Sequence, residues 1–181
     1  MPPSHIQIMK SPIAALLLAS AFGLSVHAAD VAVKISNVHL CCKSCVTGVE
    51  KAVGEVPGAS ASVDKDAGTV GLSGPSAETV QKAADALVAA GYFGRSSDSK
   101  VRINDSTGAK GQKVQSLQVN GVHLCCGKCV TAVDEALKTV SGVKAHTAVK
   151  GVKSFEVTGD FNDKAVFAAL QKAGLTGKAE K

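Results

Sequence analysis

Apolar and polar positions alternate at Val31, Val33 and Ile35, and again at Leu117 and Val119, the period of a strand with one buried face. Past each strand the spacing changes. Val46, Val49, Val53 and Val56 recur as one helical stripe, and Val130, Val133, Leu137 and Val140 as another. Pro57-Gly58 and Ser141-Gly142 stop these helices. Ala59, Ala61 and Val63, then Val70 and Leu72 across Asp66-Ala67-Gly68, predict a hairpin, matched in the second stretch by residues 143–147 and 154–157. Ser76-Ala77-Glu78 opens a further helix with Val80, Ala83, Ala84 and Leu87 inward, ended by Gly91; Ala165, Val166, Ala169 and Leu170 before Gly174 predict its counterpart. Short strands after Gly91 and Gly174 complete the order β-α-β-β-α-β twice. The predicted class is α+β, two tandem ferredoxin-like βαββαβ sandwiches.

The two stretches are one unit written twice. Val-His-Leu-Cys-Cys-Lys-Ser-Cys-Val-Thr at residues 38–47 and Val-His-Leu-Cys-Cys-Gly-Lys-Cys-Val-Thr at residues 122–131 agree at eight of ten positions, 84 residues apart. A period of that length is a whole small domain, well beyond the roughly 20–50 residues of a solenoid repeat. The expected organisation is a first domain at residues 30–97, a polar flexible linker at 98–112 and a second domain at 113–181. An apolar run at residues 13–24, preceded by Lys10 and followed by Val26-His27-Ala28, reads as a signal peptide occupying residues 1–28, cleaved after Ala28. The run falls short of the roughly 20 apolar residues a spanning helix needs, so the mature chain is expected to have no membrane span. Export to the periplasm or outside the cell follows from that reading, an uncleaved membrane anchor being the lesser expectation.

Composition narrows the function. Of 181 residues, 45% are hydrophobic and only 19% charged, which is globular rather than disordered. A net charge of +5, one Tyr, no Trp and no basic cluster argue against a nucleic-acid surface. The charge is uneven: six basic and seven acidic residues in 30–97 against ten and six in 113–181, a split that orients the two units toward each other, steers an acidic partner domain or is ordinary solvated surface. No hydrolytic triad, phosphate loop or carboxylate pair is recognisable, and no catalysis is expected.

The chemistry lies where the first strand of each unit hands over to its helix. Cys42-Lys43-Ser44-Cys45 and Cys126-Gly127-Lys128-Cys129 are CxxC pairs at a helix entrance, where free N–H groups and the helix dipole favour thiolate; Lys43 and Lys128 push the same way. Paired thiolates suit soft ions, copper(I) above all, or zinc with further ligands. The arrangement resembles the heavy-metal-associated (HMA) domain of copper chaperones, metal-ATPase amino-terminal modules and the periplasmic mercury-binding protein, over both units. The resemblance implies a βαββαβ fold in which Cys42 with Cys45, and Cys126 with Cys129, hold the metal, and Tyr92, with Leu175 in its place in the second unit, lies near the metal loop.

The family's Gly-Met-Thr is replaced here by His39, Leu40 and Cys41, and by His123, Leu124 and Cys125. Leu40 can still plug the loop from beneath. If strand alternation runs on to Leu40, His39 and Cys41 share the side facing away from the core. Each unit then offers up to one imidazole and three thiols: enough for linear or trigonal copper(I), or for a complete tetrahedral zinc set. For His39 and His123, ligation stands level with a supporting or merely exposed role. The expected cargo is one ion per unit or one shared between the loops, copper(I), zinc, mercury or another soft ion. The expected partners are a metal-transporting ATPase or another metal-binding protein. Two other readings stand beside the metal carrier or scavenger: a thiol–disulfide oxidoreductase, and a disulfide-stabilised interaction module.

Overall fold

The computed structural model describes Met1 and residues 30–180; apart from Met1, the expected signal peptide lies outside the described residues. Among the described residues the fold is α+β, with four helices and two four-stranded antiparallel sheets. In the first half β1 (Val31–Ser36), α1 (Lys43–Gly54), β2 (Ser60–Asp64), β3 (Thr69–Gly74), α2 (Ala77–Ala89) and β4 (Arg95–Ser96) form a sheet of order β2-β3-β1-β4. In the second, β5 (Lys113–Asn120), α3 (Gly127–Lys138), β6 (Val143–His146), β7 (Ser154–Asn162), α4 (Asp163–Lys172) and β8 (Lys178–Ala179) give β6-β7-β5-β8, the same order. This is the split βαβ arrangement, with a helix pair packed over each sheet. Among the described residues no helix is long and apolar enough to cross a membrane.

Side chains fill the space as the periodicity requires. Val33 and Ile35 of β1 face Leu72 and Val70 of β3 across an antiparallel register, and α2 covers them with Val80, Ala83, Ala84 and Leu87, all buried. Ser76 caps α2, its hydroxyl accepting from the Thr79 N–H. Three stripes differ from expectation. The buried face of α1 is Cys45, Val49 and Val53, and that of α3 begins at Cys129; Val46 and Val130 sit one position to the side, half-buried. Each helix therefore carries a cysteine at the head of its core stripe, a position a count of valines does not reveal. In α4 the inward residues are Val166, Phe167 and Leu170 together with Asp163, while Ala165 and Ala169 lie on the flank. The large ring of Phe167 takes the core position because burying it stabilises more than burying a methyl group.

Segment 98–112, expected to be a flexible linker, makes specific contacts. Val101 is buried, the Gln81 side chain accepts from the Arg102 N–H and donates to the Arg102 carbonyl, and the Thr107 carbonyl accepts from the Ala179 N–H. The carboxylate of Asp163 accepts from the N–H groups of Lys110, Gly111 and Gln112 at 2.7 to 2.9 Å, which holds the end of the segment on the first turn of α4.

The halves meet at the turns that follow α2 and α4. Tyr92 and Leu175 form an antiparallel bridge, with the Phe93 N–H donating to the Gly174 carbonyl at 3.1 Å and the Thr176 N–H to the Gly91 carbonyl at 3.0 Å. Gly91 and Gly174 have φ of +90° and +79°, open to glycine at little cost. Space enforces the same choice: a Cβ on Gly174 would lie 2.5 Å from the His39 nitrogen, and one on Gly91 2.5 Å from that of His123. The turn of each half thus presses on the cysteine loop of the other.

Candidate metal centre

The β1 strand does not run on to Leu40. It ends at Ser36, and Asn37 adopts φ +61°, a left-handed conformation that asparagine tolerates better than most residues; Gly121 holds the equivalent place with φ +78°. The Asn37 amide donates to the Lys172 carbonyl, tying the kink to the other half. Beyond the kink Leu40 and Leu124 plunge into the core, 5% and 3% exposed. His39 and Cys41 nevertheless come to share a side: both lie with Cys129 in a triad of donor atoms within 4.8 Å of one another.

The two loops build one centre. All six cysteines are unpaired thiols, and their sulfur atoms touch across the halves: Cys41 to Cys126 at 3.3 Å, Cys41 to Cys129 at 3.5 Å, Cys42 to Cys125 at 3.4 Å and Cys45 to Cys125 at 3.5 Å. Within the halves the separations are 3.7 Å for Cys41–Cys45, Cys42–Cys45 and Cys125–Cys129, and 3.9 Å for Cys126–Cys129. Cys42 and Cys126 occupy the N-caps of α1 and α3 but neither side chain caps an N–H, and neither helix has an acidic residue in its first turn. Two helix N-termini thus direct their partial positive charge at one pool of sulfur.

Crowded thiols split their proton affinities. Cys45 is held well below the ordinary thiol range, chiefly by a hydrogen bond from Cys129, which outweighs its burial, with help from His123 and Cys125. Cys129 is pushed up by the same hydrogen bond and by burial. Burial, then the Cys126 contact, drives Cys41 up to about 12, and burial with the Cys42 and Cys45 contacts raises Cys125 as well. At Cys126 burial works upward, but the backbone N–H groups of Cys129 and Lys128 and the Cys41 thiol bring it down to about 6. The cluster therefore holds both thiolates and thiols at neutral pH.

The imidazoles break the symmetry. The Tyr92 hydroxyl donates to the Cys45 carbonyl at 2.9 Å and lies 3.0 Å from His123 Nε2, the two rings stacked with centroids 4.6 Å apart. Its single proton is committed to Cys45, so the network assigns a proton to His123 Nε2 and leaves Nδ1 as that ring's other polar atom. Gly48 lies under the Tyr92 hydroxyl, where any Cβ would collide. In the mirrored position Leu175 has no hydroxyl to offer, and His39 Nε2 is buried without a hydrogen-bond partner. Burial, opposed in part by the Cys45 charge, lowers the His39 pKa, so its ring is neutral and free to coordinate. Of the eight residues singled out from sequence, His39, Cys41, Cys42, Cys45, Cys125, Cys126 and Cys129 fall into triads with donor atoms within 4.8 Å, and His123 joins through Tyr92 and Cys45. The donor set is soft, dense and partly anionic, which fits thiophilic ions.

No protein-family model matches the chain, and no curated protein matches it. Solved structures align with it. The N-terminal domain of PacS from Synechocystis PCC6803 is 17% identical, with 38% of this chain and all of that one covered, at a TM-score of 0.34. The apo form of the HMA domain of the copper chaperone for superoxide dismutase is 23% identical over 40% of this chain and 74% of that one, at 0.34. The N-terminal soluble domains of Bacillus subtilis CopA are 14% identical over 83% of this chain and 94% of that one, at 0.32. The strand order and the cysteine geometry described above belong to this chain and stand without those likenesses.

Proposed function

We propose that this chain is an exported binding protein for soft metal ions, copper(I) foremost, with zinc or mercury as lesser cargo. It acts as a carrier or scavenger rather than as an enzyme. The observation that carries the reading is the convergence of six thiols from two helix entrances, at sulfur separations of 3.3 to 3.9 Å. Burying that many thiols together serves packing poorly, whereas a thiophilic ion would bind them strongly. Export is supported by the apolar run at residues 13–24. Exposed first-turn positions at Lys43, Ser44, Gly127 and Lys128 leave one side of the loops open to an incoming thiolate, which can join the ion before an old ligand leaves. A metal-transporting ATPase or another metal-binding protein with its own cysteine loop is the partner that chemistry would suit.

The test is anaerobic copper(I) competition between reduced protein and a chromogenic chelator. The reading expects the protein to strip the chelator and the Cys42→Ser, Cys126→Ser double variant to do so far less. Protein that leaves the chelator loaded overturns it. One observation favours a second reading: a Cys126 thiol brought down to about 6 is poised for thiol–disulfide exchange. That reading requires reduction of insulin disulfides by metal-free protein.

A further inference from the structure

The sulfur positions say more than that a soft ion can bind. Resting on the metal-binding reading above, we infer that the six cysteines are laid out to take up four monovalent copper ions as one cage shared by both halves. The eight measured contacts run around a closed figure. Cys41–Cys42, Cys42–Cys126 and Cys125–Cys126 lie within 4.8 Å, and Cys45 and Cys129 each lie 3.5 to 3.7 Å from both Cys41 and Cys125. With Cys45 and Cys129 taken as neighbours across those two shared sulfurs, the pairs left over are Cys41 with Cys125, Cys42 with Cys129, and Cys45 with Cys126. They stand opposite one another, as the vertices of an octahedron do, and each joins one half to the other.

Three of the intervening faces close within 4.8 Å as well, and one set of alternate faces has three members whose donor atoms lie within that distance: Cys41-Cys42-Cys126, Cys42-Cys45-Cys125 and Cys125-Cys126-Cys129. Any two of them share a single sulfur. Together they use Cys42, Cys125 and Cys126 twice and Cys41, Cys45 and Cys129 once. The fourth face completes the set: Cys41 lies 3.7 Å from Cys45 and 3.5 Å from Cys129, and Cys125 bridges the same two sulfurs at 3.5 and 3.7 Å. With it, every sulfur bridges two faces. An ion on each of these alternate faces would be bound by three sulfurs, the trigonal coordination that copper(I) accepts. At a metal–sulfur distance of about 2.3 Å the sulfurs around a planar trigonal ion stand about 4.0 Å apart, so contacts of 3.3 to 3.9 Å need open by about 0.1 to 0.7 Å. The fourth face also has His39 beside it, in a triad with Cys41 and Cys129, its buried Nε2 lacking any partner.

Charge selects the ion. Loading releases the remaining thiol protons to solvent and moves no electrons. Six thiolates with four copper(I) ions leave a net charge of −2 at the N-termini of α1 and α3, where the dipoles, Lys43 and Lys128 oppose it. Four zinc ions would leave +2 in the same place and would each need a fourth donor, for which only His39 and His123 are at hand. A single ion of either kind would use two to four sulfurs and strand the rest.

The experiment is anaerobic titration of the reduced full chain with copper(I), read by native mass spectrometry and by X-ray absorption at the copper edge. Four copper ions per chain, appearing together without populated species of one to three, and a copper–copper scattering path are expected. Saturation below four, or four ions without that path, overturns the cage and leaves soft-metal binding intact. Failure to bind any copper overturns both. Cys125→Ser removes a sulfur shared by two faces, and its saturation is expected to fall below four; a variant that still takes four contradicts the cage. Should it not fold, the wild-type stoichiometry decides alone.

Discussion

Cys41 Sγ lies 3.3 Å from Cys126 Sγ, although 85 residues separate them in the chain. Neither belongs to the other's CxxC pair, and the contact exists only because the turns after α2 and α4 lock the two halves with their loops face to face. Mild oxidation of metal-free protein is therefore expected to yield disulfides between the halves, with Cys41 joined to Cys126 or Cys42 to Cys125. Peptide mapping by mass spectrometry reads the pairing. Products confined to Cys42–Cys45 and Cys126–Cys129 would show loops that do not meet.

The glycines of the locking turns should resist change. Gly91→Ala places a Cβ against the Gly121 carbonyl and the His123 nitrogen at φ +90°, and an unfolding penalty of about 1–3 kcal/mol is expected from urea titration. Gly54→Ala is the control. It lies at the last position of α1 with open space around it, and alanine there is expected to stabilise by up to about 1 kcal/mol. Equal effects at the two sites would argue that the turn is not held as described.

Tyr92→Phe removes the hydroxyl from the Cys45 carbonyl and from His123 Nε2, leaving two polar groups without it. A loss of about 1–3 kcal/mol in equilibrium unfolding follows. The variant would make His123 resemble His39, whose neighbour across the pseudo-symmetry is Leu175. Stability unchanged to within a few tenths of that range would mean that the hydroxyl is satisfied by solvent.

The raised thiols give a sign to the pH dependence of the metal-free protein. Cys41 is pushed up to about 12 and Cys125 is raised too, against an ordinary value of 9.0. Between those values the unfolded chain has lost protons that the folded chain keeps, so stability falls as pH rises. Their contribution is complete below about pH 9 and declines toward pH 12. The urea midpoint is expected to drop between pH 8 and pH 10.5, less so in the Cys41→Ser, Cys125→Ser double variant, and a flat profile would contradict the buried thiols.

Much of this was legible in the residues. Alternation at Val31, Val33 and Ile35 and the glycine stops at Gly91 and Gly174 predicted the βαββαβ order, because one-sided burial writes its period into the chain. The loop cysteines were legible as donors. Their merger was not: contact between Cys41 and Cys126 depends on how one half docks on the other, and the docking rests on backbone hydrogen bonds at Gly91, Phe93, Gly174 and Thr176, which have no side-chain signature. The inward setting of Cys45 and Cys129 was likewise masked by valines one position on. The pattern left open whether the strand runs on to Leu40; the left-handed Asn37 ends it, a choice asparagine permits but does not announce.

The central claim is that the two loops form one centre. It is tested most directly by measuring copper(I) bound to a chain in which Cys41, Cys42 and Cys45 are all serine while the second loop is untouched. A shared centre predicts bound copper far below half of the wild-type amount, and weaker affinity for what remains. Retention of half the copper at undiminished affinity would show two independent sites and contradict the account.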